Sequence, residues 1–227
     1  MEVLHNTVSF QEFQEFIKKV YGVSNDRQYS VWDLLTQQQR FSMRALKGIR
    51  KHDISKTAFN LLIALSWLMN IANRFHIDVA AEVWKRFPGA CSYCGTAPCS
   101  CSTVKPESRK HVSSSGNVPR TIQDFQLVFA KVYPPDKRTL AEAGVHLAEE
   151  VGEVSEAVSN YLGQHRDDQL REIEAEIADL ISCIFGVANS AHIELGDELA
   201  RLYEKGCHEC HKEPCECNFE KVAAFKS

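Results

Sequence analysis

The sequence lacks the features that would place it in a membrane or on a nucleic acid. Its 26 Lys and Arg residues are outnumbered by 30 Asp and Glu residues, which gives a net charge of −4, whereas general nucleic-acid affinity normally rests on a basic excess. The longest apolar run, 61–72, is too short to span a bilayer. The N-terminus has no basic segment of the kind that begins a secretory signal peptide. We therefore expect a soluble cytoplasmic protein, with neither a membrane nor a nucleic acid as its partner.

The alternation of apolar and polar residues that is typical of strands is also missing. Apolar residues recur at helical spacing instead, which predicts an all-α fold. The predicted helices are 9–21, 31–46, 56–77 and 78–86 in the N-terminal half, and 121–133, 139–162, 169–193 and 194–205 in the C-terminal half. Four helices in each half indicate one helical bundle per half.

Three stretches of the N-terminal half recur in the same order in the C-terminal half. FQEFIKKVY (13–21) matches FQLVFAKVY (125–133), MNIANRFHIDV (69–79) matches FGVANSAHIEL (185–195), and CSYCGTAPCSC (91–101) matches CHECHKEPCEC (207–217). The offset is 112 residues for the first pair and 116 for the other two. We interpret the chain as a tandem duplication with repeats at 1–101 and 121–217, a flexible linker at 102–120 that is rich in Ser and Pro, and a tail at 218–227.

Most of the nine cysteines belong to the third repeated block. Eight of them form two C-x₂-C-x₄-C-x-C motifs, and only Cys183 is left over, as an expected buried thiol. Four thiolates so close in sequence can surround a tetrahedral ion, and Zn²⁺ is the first expectation in a reducing compartment. An iron–sulfur cluster and disulfides are the alternatives. The expected zinc ligands are Cys91, Cys94, Cys99 and Cys101 at one site and Cys207, Cys210, Cys215 and Cys217 at the other.

Acidic residues of the second repeat lie at matching positions on two successive predicted helices. Glu150 borders the apolar stripe of the first helix, with Glu153 one step further round, and Glu176 and Asp179 have the same placement on the second. In an antiparallel hairpin, at about 1.5 Å per residue, both pairs fall on one side and at nearly equal depth. Four adjacent carboxylates either take up protons or bind a hard cation, and all-oxygen ligands suit Mg²⁺ or Mn²⁺. Two solvated acidic helix faces are the simpler alternative.

The sequence around these acids resembles a known signature. EEVGE (149–153), followed after 22 residues by EIAD (176–179), is similar to the E-E-x-x-E … E-x-x-D pattern of the all-α nucleoside triphosphate pyrophosphohydrolases, which include MazG-like proteins. The resemblance covers about 122–195. It implies Mg²⁺-dependent hydrolysis of a nucleoside triphosphate to the monophosphate and pyrophosphate, with nucleotide-pool house-cleaning as the expected role. In the family's pattern the metal ligands fall on Glu150, Glu153, Glu176 and Asp179.

Further residues receive candidate roles. A carboxylate that does not bind the metal, Glu149 or Glu153, would orient or deprotonate the attacking water. By family resemblance Asn189 would hydrogen-bond the nucleotide, and a helix-capping or buried amide is the alternative. Arg138 and Arg171 are candidates for contacts with substrate phosphates.

The first repeat cannot build the same acid cluster. The stretch 34–50 contains no acidic residue, and Asn60 and Ile63 stand 116 residues before Glu176 and Asp179. We interpret this repeat as a catalytically silent copy that would act as a built-in partner of the second. The predicted architecture is then an intramolecular pseudo-dimer of MazG-like helical bundles, each followed by a small Cys₄ metal knob. Further association into homo-oligomers is left open by the sequence.

Two other functions compete with the enzyme. A non-catalytic nucleotide sensor or zinc-linked interaction protein is the main alternative, because a silent copy shows that loss of chemistry is tolerated. The intact acids of the second repeat favour the enzyme. A zinc-ribbon protein that binds nucleic acid is a third interpretation, which the negative net charge weakens. Base and sugar preference depends on a few pocket contacts that no motif in the chain encodes.

Overall fold

The computed structural model describes residues 3–104, 106–110, 112 and 117–224. Within these ranges the regular structure is helical and contains no strand, which confirms the all-α prediction. Parts of the predicted linker (105, 111 and 113–116) and of the predicted tail (225–227) lie outside the described residues. The α-helices are α1 (Phe10–Gln28), α2 (Val31–Arg50), α3 (Ile54–Arg74), α4 (Val79–Arg86), α5 (Ile122–Val132), α6 (Leu140–Gln164), α7 (Asp167–Ser190), α8 (Leu195–Leu202) and α9 (Phe219–Ala224).

The starts of corresponding helices are specified in the same way in both repeats. Ser9 and Glu12 form a capping box at the start of α1, and Thr121 and Asp124, both 112 residues later, form one at the start of α5. Helices α2 and α6 also begin with capping boxes. Each box satisfies backbone N–H groups that have no partner inside the helix. The first two helices of the two halves therefore begin in the same way, and the tandem duplication itself stays a prediction.

The ends of corresponding helices differ where proline intervenes. Helix α1 continues to Gln28, seven residues beyond its predicted end at 21, whereas α5 ends at Val132. Pro134 and Pro135 follow α5 and begin a short 3₁₀ turn, because proline disfavours a helical conformation in the residue before it. The range 10–28 contains no proline. Its polar second half therefore remains helical although its apolar periodicity is lost.

The chain forms two compact units, and their boundaries differ from those of the sequence repeats. Unit 1 comprises Met1–Asp78 and Glu194–Ser227, and unit 2 comprises Val79–Ile193. Each unit thus contains the first three α-helices of one repeat together with the short fourth helix and the cysteine motif of the other repeat. The repeats at 1–101 and 121–217 describe the sequence, and their arrangement as a pseudo-dimer of complete bundles stays a prediction.

Unit 1 is built on the hairpin of α2 and α3, with α1 and α8 also packed against α3. Tyr203, which follows α8, is fully buried, and its ring contacts Phe13 and Phe16 of α1. Its hydroxyl is hydrogen-bonded to Ser66 of α3. Helix α3 is long and apolar enough to cross a membrane by composition, but most of it is buried in this bundle, as expected for a core helix.

Unit 2 is built on the hairpin of α6 and α7, and α4 and α5 also pack against α7. The ring of Phe129 stacks on that of Phe185 and is met edge-on by that of Phe87, with centroids 5.1 Å apart in both pairs. Helix α7 is therefore held on several sides. It is also the helix that carries Glu176 and Asp179, so this packing fixes the position of the acidic residues.

Candidate active site

The hairpin of α6 and α7 brings three acidic side chains together. One carboxylate oxygen from each of Glu150, Glu176 and Asp179 lies within 4.8 Å of the other two. Their chain neighbours Val151 and Ile177 are buried in the seam between the helices, so the acids stand at the edge of the apolar core. We call these three residues the acid cluster.

The other two candidate carboxylates lie outside the acid cluster. Glu153 is exposed at its edge, where its side chain contacts that of Glu176. Glu149 is exposed elsewhere on α6 and lies 3.1 Å from Nδ1 of His146. Of the two carboxylates considered for activating water, Glu153 is therefore the one next to the acid cluster.

Two oxygens of the acid cluster are buried at high electrostatic cost. Oε2 of Glu150 and Oε2 of Glu176 have no hydrogen-bond partner in the described part of the chain. Burial, followed by the charges of Asp179 and Glu153, raises the pKa of Glu150 to about 8 and that of Glu176 to about 7. A buried polar atom without a partner is unfavourable. The residues therefore fit a hard cation, which would satisfy these oxygens and offset their mutual repulsion.

Two arginines that sequence reasoning missed meet the acid cluster at Asp179. Arg86, the last residue of α4, donates from Nε to Oδ1 of Asp179 at 3.0 Å and from a terminal nitrogen to Oδ2. Nη2 of Arg109 lies 3.9 Å from the same Oδ2. Both precede the second repeat, and no local pattern relates them to the acids. The available sequence signal is their position on either side of the first cysteine motif.

Arg138, a predicted phosphate contact, approaches the site from the turn before α6. A Cβ at Gly186 would lie 1.9 Å from Nη2 of Arg138, so the glycine makes room for the guanidinium. Arg138 also lies over the ring of Tyr133, 5.8 Å from its centroid, and its Nε is buried with no hydrogen-bond partner among the described residues. Burial and the charge of Glu150 raise the pKa of the nearby Cys183 thiol to about 12, and the charge of Arg138 acts in the opposite direction. A neutral thiol and a cationic side chain thus border the acid cluster.

Arg171 is not brought to the acid cluster by any contact found in the described residues. It is exposed on α7, five residues before Glu176. Its role as a phosphate contact stays a prediction.

Asn189 joins two helices. Its Oδ1 accepts from Nε2 of Gln126 at 3.0 Å, and its Nδ2 donates to the backbone oxygen of Gln126 at 3.2 Å. In the first repeat Asn73 makes the same exchange with Gln14, at 3.1 and 3.0 Å. Because the link also exists where the acids are missing, it favours the buried-amide alternative for Asn189. A contact with the nucleotide stays a prediction.

Unit 1 has apolar residues at the two positions that correspond to Arg86 and Asp179 of unit 2. Ile63, 116 residues before Asp179, is buried with Phe41 and Ala64, and Leu202, 116 residues after Arg86, packs against the same group. An apolar contact therefore replaces the ion pair between Arg86 and Asp179. The catalytic silence of the first repeat stays a prediction.

Each cysteine motif folds into a compact group of free thiols. The four Sγ atoms of each motif lie within 4.8 Å of one another, and the closest pairs are 3.5 Å apart in the first motif and 3.4 Å apart in the second. These distances are far longer than the ~2.05 Å of a disulfide bond. Four sulfurs placed about 2.3 Å from one tetrahedral zinc ion would be ~3.8 Å apart. Both groups therefore fit a thiophilic ion.

Unit 2 is thus a helical bundle in which one hairpin gathers half-buried and buried carboxylates beside arginines. Residues 138–212 match the family model of the MazG nucleotide pyrophosphohydrolase domain. The matched stretch contains α6, α7 and α8, and together with the all-helical fold it confirms the resemblance to the MazG-like superfamily. A search of curated proteins and a search of solved structures each found no match.

Proposed function

We propose that the chain hydrolyses a nucleoside triphosphate to the monophosphate and pyrophosphate at the acid cluster, with Mg²⁺ or Mn²⁺ as cofactor. The match to the MazG domain supports a nucleotide pyrophosphohydrolase. The observation that carries the proposal is the convergence of three carboxylates, two of which have buried oxygens without a hydrogen-bond partner in the described chain. All the donors of the cluster are oxygens, which suits a hard divalent cation.

The acid cluster and its neighbours divide the chemistry among them. Glu150, Glu176 and Asp179 would hold the ion, which when bound supplies charge neutralisation for the triphosphate and a water of lowered pKa. Glu153, exposed at the edge and in contact with Glu176, is placed to accept a proton from the attacking water. Glu149, which pairs with His146, is less suited to this role.

The arginines would bind the substrate phosphates. The guanidiniums of Arg86 and Arg109 meet at Asp179, and that of Arg138 lies against Gly186. An arginine presents paired N–H donors that match phosphate oxygens in geometry. On binding, the phosphates would compete with Asp179 for Arg86 and would give the buried Nε of Arg138 an acceptor.

The cysteine groups would each hold one Zn²⁺ ion, with an iron–sulfur cluster as the alternative. A site closed by four thiolates has no free position for substrate, so these sites would be structural. Free thiols in both groups suit a reducing, cytoplasmic setting, in which nucleotide-pool house-cleaning is the proposed role.

The test is pyrophosphate release from a panel of canonical and modified nucleoside triphosphates with Mg²⁺. We expect Glu150→Gln and Asp179→Asn to lower kcat/KM at least about 100-fold, since each removes a charge that acts on the reacting centre. Glu156→Gln, at an exposed position on the same helix, is the matched control and should behave as wild type. If no nucleotide releases pyrophosphate while calorimetry still detects nucleotide binding, the non-catalytic sensor is correct instead.

A further inference from the structure

The first cysteine group is flanked in sequence by the two arginines that meet the acid cluster. Arg86 precedes Cys91 by five residues, and Arg109 follows Cys101 by eight. Both guanidiniums lie against Asp179. The four thiols thus lie between two arginines, both of which are close to the carboxylate of Asp179.

On the N-terminal side, the cysteine group anchors the end of α4. This helix has only eight residues, and a helix of this length is not stable by itself. Phe87, the residue after Arg86, is buried against Phe129 and Tyr133. Cys91 and Cys94 are buried in turn against Val132 and Tyr133. The position of Arg86 therefore depends on how firmly the following chain is fixed.

The cysteine group itself is tied to the end of α5. The backbone N–H of Cys99 donates to the backbone oxygen of Val132 at 2.8 Å. The sulfurs of the group form no disulfide with one another and are joined only by weak contacts, of which the shortest is 3.5 Å between Cys99 and Cys91. An ion bound by all four sulfurs would hold the segment 91–101 in one conformation.

On the C-terminal side, the chain folds back onto the same group. The backbone N–H of Lys110 donates to the backbone oxygen of Tyr93 at 2.9 Å, and the guanidinium of Arg109 lies 5.8 Å from the centre of the Tyr93 ring. Tyr93 stands between two of the cysteine ligands, Cys91 and Cys94. The position of Arg109 therefore also depends on the fold of the cysteine group.

We propose that a metal ion bound by Cys91, Cys94, Cys99 and Cys101 regulates the acid cluster by holding Arg86 and Arg109 at Asp179. The effect on catalysis rests on the function proposed above. With the thiols loaded, both arginines are placed to bind substrate phosphates and to compete with a divalent cation for Asp179. When the ion is lost, the arginines are released, so that a bare divalent cation binds the acid cluster more tightly and a triphosphate binds more weakly.

The second cysteine group provides an internal control. Leu202 stands five residues before Cys207, as Arg86 does before Cys91, and packs against apolar residues. Metal at the second group therefore has no charged residue to place at the corresponding position. Its loss should leave the acid cluster unchanged.

The experiment compares two equivalent double variants of the full chain. Cys99→Ser with Cys101→Ser removes two ligands of the first group, and Cys215→Ser with Cys217→Ser removes the equivalent ligands of the second. Thiol-bound metal is measured by mass spectrometry, affinity for Mn²⁺ by electron paramagnetic resonance in the absence of nucleotide at slightly alkaline pH, and KM from pyrophosphate release.

We expect each double variant to lose one equivalent of thiol-bound metal. In the first-group variant alone, Mn²⁺ should bind about fivefold more tightly and KM should rise about tenfold, because two positive charges have left Asp179. Arg86→Ala with Arg109→Ala should give the same two changes with its thiol-bound metal intact. A general loss of structure would weaken Mn²⁺ binding instead, so the opposite direction of the two changes is diagnostic.

Three results would overturn the regulation. They are unchanged Mn²⁺ affinity and KM in a first-group variant that has lost its metal, weakened Mn²⁺ binding in a folded one, and equal changes in the second-group variant. If the first-group variant does not fold, a second variant carries two glycines inserted between Pro88 and Gly89. This insertion keeps all four cysteine ligands but uncouples α4 from the cysteine group. An unchanged Mn²⁺ affinity in this insertion variant would also overturn the proposal. A wild-type chain that binds no Mn²⁺ and releases no pyrophosphate refutes the proposed function itself.

Discussion

At the scale of single residues, Glu150 shows what burial does to an acid that has acidic neighbours. Its pKa is raised to about 8 by burial and by the charges of Asp179, Glu153 and Glu176, with Arg86 acting in the opposite direction. Without a divalent cation, this carboxyl therefore retains its proton at neutral pH. A cation that binds here must displace the proton, so binding is linked to pH.

The first prediction concerns stability as a function of pH. In the absence of added divalent cations, the free energy of unfolding should fall as pH rises from about 4.5 to about 8. Over this range the folded chain holds protons on Glu150, with a pKa of about 8, and on Glu176, with a pKa of about 7, that the unfolded chain has lost. Urea unfolding at several pH values measures the slope. Glu150→Gln should remove the slope between about pH 7 and pH 8 and reduce it below pH 7, where Glu176 still contributes. A slope between pH 7 and pH 8 that is unchanged in this variant would assign the effect to other groups.

The second prediction uses two glycines as a matched pair. Gly186→Ala places a methyl group where Nη2 of Arg138 now lies, so it should displace the guanidinium and raise KM about tenfold. Gly163→Ala, in α6, meets no atom within 4 Å and should leave KM unchanged while stabilising the helix by about 0.5–1 kcal/mol. Steady-state kinetics and thermal unfolding separate the two effects. An unchanged KM in Gly186→Ala would remove Arg138 from the substrate contacts.

At the scale of elements, the polar links between helices are shared by both repeats. Asn189 and Gln126 join α7 to α5, and Asn73 and Gln14 join α3 to α1 with the same donors and acceptors. Such an interaction seen in both copies belongs to the framework of the bundle. These hydrogen bonds are therefore not by themselves evidence that Asn189 binds the substrate.

The third prediction separates the two roles of Asn189. Asn189→Ala and Asn73→Ala should each lower the free energy of unfolding by about 1–2 kcal/mol, since each removes two hydrogen bonds between helices. Neither should change KM. If Asn189→Ala raises KM while Asn73→Ala does not, then Asn189 contacts the nucleotide after all. Chemical denaturation and pyrophosphate release are the two measurements.

Features that depend on residues close together in sequence could be predicted, and features that depend on contacts between distant residues could not. The hairpin of α6 and α7 and the side on which Glu150, Glu176 and Asp179 meet follow from helical periodicity, which is local. The continuation of α1 to Gln28 was missed because that segment has no apolar stripe. Arg86 was missed because its position at Asp179, 93 residues away in sequence, is fixed by tertiary packing that no periodic pattern encodes.

At the scale of the whole molecule, neither repeat corresponds to a compact unit. Each unit takes its short fourth helix and its cysteine motif from the other repeat. Short helices are stabilised mainly by what they pack against. Each repeat alone would therefore lack apolar partners that the complete chain supplies.

The fourth prediction follows from this exchange. A fragment ending at 104 and a fragment beginning at 117 should each be poorly folded as monomers when produced separately, and should recover helical structure and pyrophosphate release when produced together. Circular dichroism and size-exclusion chromatography monitor the reassembly. A fragment 117–227 that is monomeric, folded and fully active would show that the first repeat contributes nothing to the site.

The ion pair between Arg86 and Asp179 also links the two halves of the coding sequence. The codon for Arg86 lies in the half of the coding sequence that does not encode the acid cluster, and the codon for Asp179 lies in the half that does. A deletion of the first half would remove the guanidinium that is paired with Asp179. The two halves of the coding sequence can therefore diverge, but separating them onto two chains would break this ion pair.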